Sequence, residues 1–226
     1  MIIIKQLLSP DEVSLFRQQL QQARWLDGKS TAMGMAATVK RNGQADPTDP
    51  KVQQLANTLL AKFGHNTQVV SAALPQRIFP PCFNRYSEQE TYGFHVDAAI
   101  MRIPGSNEVM RSDLSMTTFL SAPDEYDGGE LVINTEFGQQ HIKLAAGDAV
   151  LYSSGTLHKV TPVTAGTRYA AITWIQSMVQ NNPTRDTLYQ LDQVIQSLSQ
   201  HGSASREELD RLHHVYHNLI RLNAQV

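Results

Sequence analysis

The chain is predicted to be mostly β with flanking helices: an antiparallel sandwich or barrel closed at both ends by helical segments. Three observations carry that expectation. Residues 71 to 178 hold seven or eight short runs of β-branched, aromatic and alternating residues, broken by glycine turns and by no helical pattern. Helical periodicity frames this stretch on both sides, three of the four helices opened by a capping signature. Finally, the short apolar stretch GFHVDAAI carries His95 and Asp97 two apart, so both point to one face of an extended strand.

The elements follow in order. In SPDEVSLFRQQLQQA, Ser9 caps, Pro10 suits the first helical position and Glu12 completes a capping box, with an apolar stripe at Val13, Phe16, Leu20 and Ala23. DPKVQQLANTLLAKFG repeats the arrangement. Asp49 caps, Pro50 opens, Val52, Leu55, Leu59 and Phe63 form the stripe, and Gly64 is expected to stop the helix. Between these helices, TVKRNGQADPTDP reads as a polar connection with a turn at Asn42 and Gly43. The strand candidates are RIFPPCFNRY, LSMTTFLS, GGELVIN, QQHIKL, DAVLY, HKVTPV and RYAAITWI. Turns at Pro104-Gly105, Asp127-Gly128-Gly129, Ala146-Gly147-Asp148 and Ala165-Gly166 lie among them. Beyond residue 183, Leu188, Leu191, Ile195 and Leu198 mark one helix. A break at QHGS precedes a second capping box at Ser205 to Glu208 and the stripe Leu209, Leu212, Tyr216 and Leu219. The expected division is an N-terminal helical region at 1–76 packing on the core, a β domain at 77–177 and a C-terminal helical extension at 178–226. The last pair packs on the barrel or mediates a homo-oligomer.

Composition narrows the function classes. The 226 residues carry 19 basic and 21 acidic side chains, a net charge of -2, without a Lys/Arg cluster longer than a pair, which argues against a nucleic-acid footprint. Apolar runs are too short for a helical membrane span, and MIIIKQLL is too short for a signal-peptide core. The single cysteine, Cys82, forms no internal disulfide and reads as a small buried hydrophobe, so a reducing cytoplasm is the expected setting.

His95 and Asp97 would each lose water in a buried strand, and a shared metal ion would compensate both. Among the other histidines, His65, His141, His201, His213, His214 and His217 read as solvated. His158 stands at the start of a later strand, where a small barrel brings it to the same mouth. Two imidazoles and one carboxylate leave positions open, the pattern of non-haem Fe(II) oxygen chemistry, although the same set also suits a zinc hydrolase. Arg168, ten residues beyond His158 on the next strand, would sit deeper. There it can hold the distal carboxylate of a five-carbon keto-diacid while the 2-oxo-carboxylate end meets the metal.

The stretch from Arg77 to Ser177 resembles the Fe(II)- and 2-oxoglutarate-dependent dioxygenases of the prolyl-4-hydroxylase-like group, and most of all the PKHD-type hydroxylases. The motifs are His95-Val-Asp97, Arg111-Ser-Asp-Leu-Ser115, Asp127-Gly-Gly-Glu-Leu131, Ala146-Gly-Asp148, Leu157-His158-Lys-Val160, Pro162-Val-Thr164 and Gly166-Thr-Arg168. The resemblance implies a double-stranded β-helix (jelly-roll) core. It implies His95, Asp97 and His158 as Fe(II) ligands, Arg168 as the 2-oxoglutarate anchor, and O2 as co-substrate with succinate and CO2 as products. L-Ascorbate enters as auxiliary reductant, and a small-molecule or peptide substrate, peptidyl or amino-acid derived, is implied too. Two positions depart from the pattern. Ala170 stands where some relatives carry a serine that shares the carboxylate, so Tyr86 is the candidate second partner, and Ala98 stands where an amide is expected after Asp97. The segment 98–114 reads as a loop-like lid or substrate wall, whose Arg102 and Arg111 either meet an acidic substrate or form ordinary ion pairs. A cupin-like metal hydrolase or isomerase, and a non-catalytic iron or 2-oxoglutarate sensor, are the competing readings.

Overall fold

The computed structural model describes residues 1–31 and 34–225, apart from the side chain of Ser30. Two antiparallel sheets enclose a cavity. The larger runs in the order Ile2–Ile4, Ala149–Ser153, Leu114–Phe119, Arg168–Ser177, Cys82–Tyr86, Gly43–Ala45 and Trp25–Asp27, with Pro75–Ile78 pairing onto Arg168–Ser177. The smaller runs Gly138–Ile142, Leu131–Thr135, His158–Val160, Thr91–His95 and Lys40–Arg41. This is the jelly-roll expected, and its centre is Arg168–Ser177, whose alternating burial directs Arg168, Ala170, Ile172 and Trp174 toward the cavity.

The opposite face of the large sheet is covered by the N-terminal helices. Phe16 and Leu20 of Pro10–Gln21, and Leu55, Leu59 and Phe63 of Pro50–His65, pack with Phe83, Met116, Leu151, Ala171 and Ile175 in one core. Both helices start as expected. Ser9 and Glu12 form the reciprocal capping box, and the Asp49 side chain accepts from Lys51 N.

Three local expectations are corrected. Pro50–His65 passes through Gly64 and stops at Asn66, whose extended backbone breaks the helix while its side chain caps a further helix, Thr67–Ala73. The polar connection around Asn42 is no simple turn. Lys40–Arg41 enters the small sheet and Gly43–Ala45 the large one, so Asn42 is a buried crossing point between them. Segment 98–114 is a two-stranded finger, Ile100–Arg102 paired with Val109–Arg111, with Gly105 at φ +75° in its turn region.

The C-terminal helices Asn182–His201 and Arg206–Asn223 meet at Gly202, a left-handed cap, and the second opens with the Ser205–Glu208 capping box. Leu188, Ile195 and Tyr216 bury against Leu74 and Val179, so the pair packs on the protein's own helical layer. No helix among the described residues is long and apolar enough to cross a membrane.

Candidate active site

Strand register brings the first two candidate ligands together. In the small sheet His158 lies directly opposite His95, with ring centroids 4.3 Å apart. Asp97 follows two residues after His95, just beyond the strand end, where its backbone N–H donates to Ser154 O at 3.3 Å. One Asp97 oxygen is 3.8 Å from His95 Nε2, and the other is 3.8 Å from His158 Nε2. All three donor atoms fall within 4.8 Å of one another, the spacing of a shared metal ion.

The surroundings set the chemistry of each donor. His95 Nδ1 donates to Gly93 O at 2.8 Å and His158 Nδ1 to Thr156 O at 2.9 Å, which leaves both Nε2 lone pairs directed at the common point. Burial, helped by the nearby His158, lowers the His95 pKa to about 4, so its imidazole is neutral and ready to ligate near pH 7. Tyr92 stacks on the His95 ring at 3.5 Å and holds its plane. Asp97 is held by Ser115, whose hydroxyl donates to Oδ2 at 2.5 Å and is itself 2.8 Å from Ser154 Oγ. Ser115 lies within a sequence motif already noted, but nothing local to it announced a bond to Asp97.

The triad opens into a cavity of 450 Å³ lined by both sheets and by the finger. Arg168 lies inside it, 2% exposed, and no carboxylate of the described residues pairs with it. Its Nε has no hydrogen-bond partner, and its guanidinium lies 5.3 Å from the Tyr86 ring and 5.4 Å from that of Phe119. Tyr86 is its cross-strand neighbour, buried so that its phenol pKa rises to about 12. The Tyr126 hydroxyl approaches Arg168 and the Tyr152 hydroxyl approaches Thr117, neither in full hydrogen-bond geometry, and Tyr152 packs edge-on against His158. A buried cation without a counter-charge is costly. The Arg168 pocket therefore suits a dicarboxylate, as the triad's donor set suits a divalent metal, and the two implied groups fit the residues present.

The remaining sequence candidates resolve simply. Arg111 makes a bidentate pair with Asp113 at 2.6 and 2.9 Å, so it is an ordinary ion-pair residue, whereas Arg102 lines the cavity mouth. Cys82 is half-buried on the cavity wall, its thiol pushed up to about 11 by burial, which disfavours a thiolate. His65, His141, His213 and His217 are exposed, and His141 pairs with Glu130.

Comparison with known proteins agrees with this geometry. Residues 81–176 match the 2OG-Fe(II) oxygenase superfamily, and residues 183–225 match the PKHD-type hydroxylase C-terminal domain. A PKHD-type hydroxylase of Alteromonas mediterranea is 66% identical over all of both chains, and one of Shewanella frigidimarina is 64% identical over the same extent. The crystal structure of a Pseudomonas putida prolyl-4-hydroxylase shares the fold, with a TM-score of 0.54 and 18% identity, over 78% of this chain and 91% of that one. The chain therefore belongs to the PKHD-type hydroxylases of the 2OG-Fe(II) oxygenase superfamily, and is a 2-oxoglutarate-dependent dioxygenase.

Proposed function

We propose that His95, Asp97 and His158 hold Fe(II), that Arg168 with Tyr86 holds the distal carboxylate of 2-oxoglutarate, and that the enzyme hydroxylates a peptidyl or amino-acid-derived substrate. The observation that carries this is the buried Arg168, without a carboxylate partner, in the same cavity as the triad. Bound Fe(II) supplies the redox chemistry that couples O2 and 2-oxoglutarate to substrate hydroxylation, with succinate and CO2 released.

The chain's own residues do the positioning. The two carbonyl-bound imidazoles present their Nε2 atoms to one point, and Ser115 fixes the Asp97 carboxylate between them. Arg168 sets the depth and direction of the co-substrate by a charge-assisted contact, and the Tyr86 ring braces the guanidinium. Ile100, Met101 and Pro104 of the finger region wall the cavity from water where substrate enters.

L-Ascorbate serves as the auxiliary reductant by family resemblance. A lone free thiol supports a cytoplasmic setting. Exposed Val194, Val215 and Leu222 support self-association through the C-terminal helices. The division at 1–76, 77–177 and 178–226 stays part of this proposal, with strands Ile2–Ile4, Trp25–Asp27, Lys40–Arg41 and Gly43–Ala45 of the first segment joining the two sheets.

Anaerobic titration with Fe(II) and 2-oxoglutarate tests the proposal. A visible charge-transfer band should appear in the wild type, vanish in His95→Ala and weaken in Arg168→Ala. Correctly folded, iron-loaded protein that gives no band would sink the bidentate co-substrate model and bring forward a hydrolase or structural-metal role.

A further inference from the structure

A second buried cation shares the cavity and has no role in the proposal above. Lys40 is 7% exposed and lines the wall, reached from the small sheet through its pairing with Tyr92. Its ammonium contacts two neutral oxygens, Thr31 Oγ1 at 2.8 Å and Gln44 Oε1 at 3.5 Å, and lies 5.3 Å from the Tyr92 ring centroid. Among the described residues no carboxylate forms an ion pair with it; burial lowers its pKa, and the groups that act on it from farther off are Cys82, Asp97 and Asp27. An ammonium has three donors, and a lysine withdrawn from water almost always has a counter-charge.

The Lys40 cluster is separate from the Arg168 pocket. Gln44 belongs to Gly43–Ala45, which lies two strands across the sheet from Arg168–Ser177, or about 10 Å at the usual strand spacing. The wall between them continues into an apolar surface formed by Phe79, Ile172 and Trp174, with Phe79 and Trp174 edge to face at 5.5 Å. Trp174 Nε1 is buried there without a hydrogen-bond partner. The cavity thus offers an unneutralised cation, an unsatisfied donor and an apolar face, all beyond the co-substrate's needs.

We propose that this is the substrate subsite, and that Lys40 binds a carboxylate of the substrate while Phe79, Ile172 and Trp174 receive an adjoining apolar part. The assignment rests on the oxygenase reading for the word substrate, but the anion site itself does not. The carboxylate belongs either to a small free acid or to an acidic side chain within a peptide.

The test compares matched probes on metal-free protein and on protein loaded with Mn(II) and 2-oxoglutarate. The small pair is 3-phenylpropionate and 3-phenylpropionamide. The peptide pair is two end-blocked phenylalanine-containing peptides that differ only in glutamate or glutamine. Affinities are read by ligand-observed NMR for the wild type, Lys40→Met and Lys40→Gln. The wild type should prefer the carboxylate of at least one pair by about tenfold or more, the usual gain of a charged hydrogen bond. Both variants should lose that preference while keeping 2-oxoglutarate affinity within about twofold. The pair that shows the preference identifies the source of the carboxylate.

Equal binding of acid and amide by the wild type, or no binding of either acid, overturns the proposal. So does a preference that survives in the variants, or a parallel loss of 2-oxoglutarate affinity, which would hand Lys40 to the co-substrate. Lys40→Gln carries the comparison should Lys40→Met fail to fold. A wild type that fails to bind Mn(II) and 2-oxoglutarate sinks the oxygenase site, while the metal-free comparison still decides Lys40.

Discussion

Three polar side chains withdrawn from water at one point need a common partner, and the cost of leaving them without one makes single substitutions informative. His95→Ala or Asp97→Ala should abolish Fe(II) binding in calorimetry while the circular dichroism spectrum is retained. Arg168→Ala should weaken 2-oxoglutarate by about 10- to 100-fold, the value of a charged hydrogen-bond pair, with Fe(II) affinity little changed. Ser115 is not among the proposed metal or co-substrate ligands. It fixes the Asp97 carboxylate at 2.5 Å, so Ser115→Ala should cost about 10- to 100-fold in metal affinity, as removal of an outer hydrogen bond to a ligand does. An unchanged dissociation constant in Ser115→Ala would show that Ser154 and the backbone suffice to hold the carboxylate.

Elements position these residues through turns and caps. Gly166, at φ +75°, ends the strand before Arg168, and a Cβ there would stand 2.2 Å from Glu125 O. Gly166→Ala should therefore destabilise the protein by about 1–3 kcal/mol in chemical denaturation, and should weaken 2-oxoglutarate binding by displacing Arg168. The capping boxes make a pH prediction. Glu12 has its carboxyl pKa lowered below 4.5 by its bonds to Lys62 and to the Ser9 backbone. A depressed carboxyl pKa contributes stability above the unfolded value that is lost as pH falls through the folded one. Melting temperature should accordingly drop more steeply below about pH 4.5 in the wild type than in Glu12→Gln, and parallel curves would deny the cap that role.

The molecule as a whole is two sheets clamped around a polar cavity, with helices stiffening the outer face of one sheet. Part of its polar interior lacks partners, notably Arg168 Nε and Trp174 Nε1. Ligands that satisfy such groups should stabilise the entire fold. Mn(II) with 2-oxoglutarate at about 100 times its dissociation constant should add about 2.7 kcal/mol and raise the melting temperature by roughly 5–10 °C. Arg168→Ala should lose most of the increment due to 2-oxoglutarate. A full increment in that variant would place the co-substrate elsewhere.

Helices and most strands were legible in the chain because their signals are local. A cap bonds three residues on, a stripe repeats every three or four, and an alternating strand shows its two faces within five residues. His95, Asp97, His158 and Arg168 were legible for a related reason: their side chains are chemically out of place in apolar strands, and their spacing matches a known pattern. Other features depended on the assembled sheets. Lys40–Arg41 and Gly43–Ala45 are too short and too polar to declare themselves, and become strands because Thr91–His95 and Cys82–Tyr86 offer them hydrogen bonds. Helix Thr67–Ala73 was hidden because one residue, Asn66, both ends its predecessor and caps it. Ser115 and Ser154 meet across 39 residues, and Lys40 faces the same cavity as Arg168 from the other sheet. Such meetings depend on register and sheet closure, where a shift of one residue would turn every side chain to the opposite face, and no local pattern encodes them.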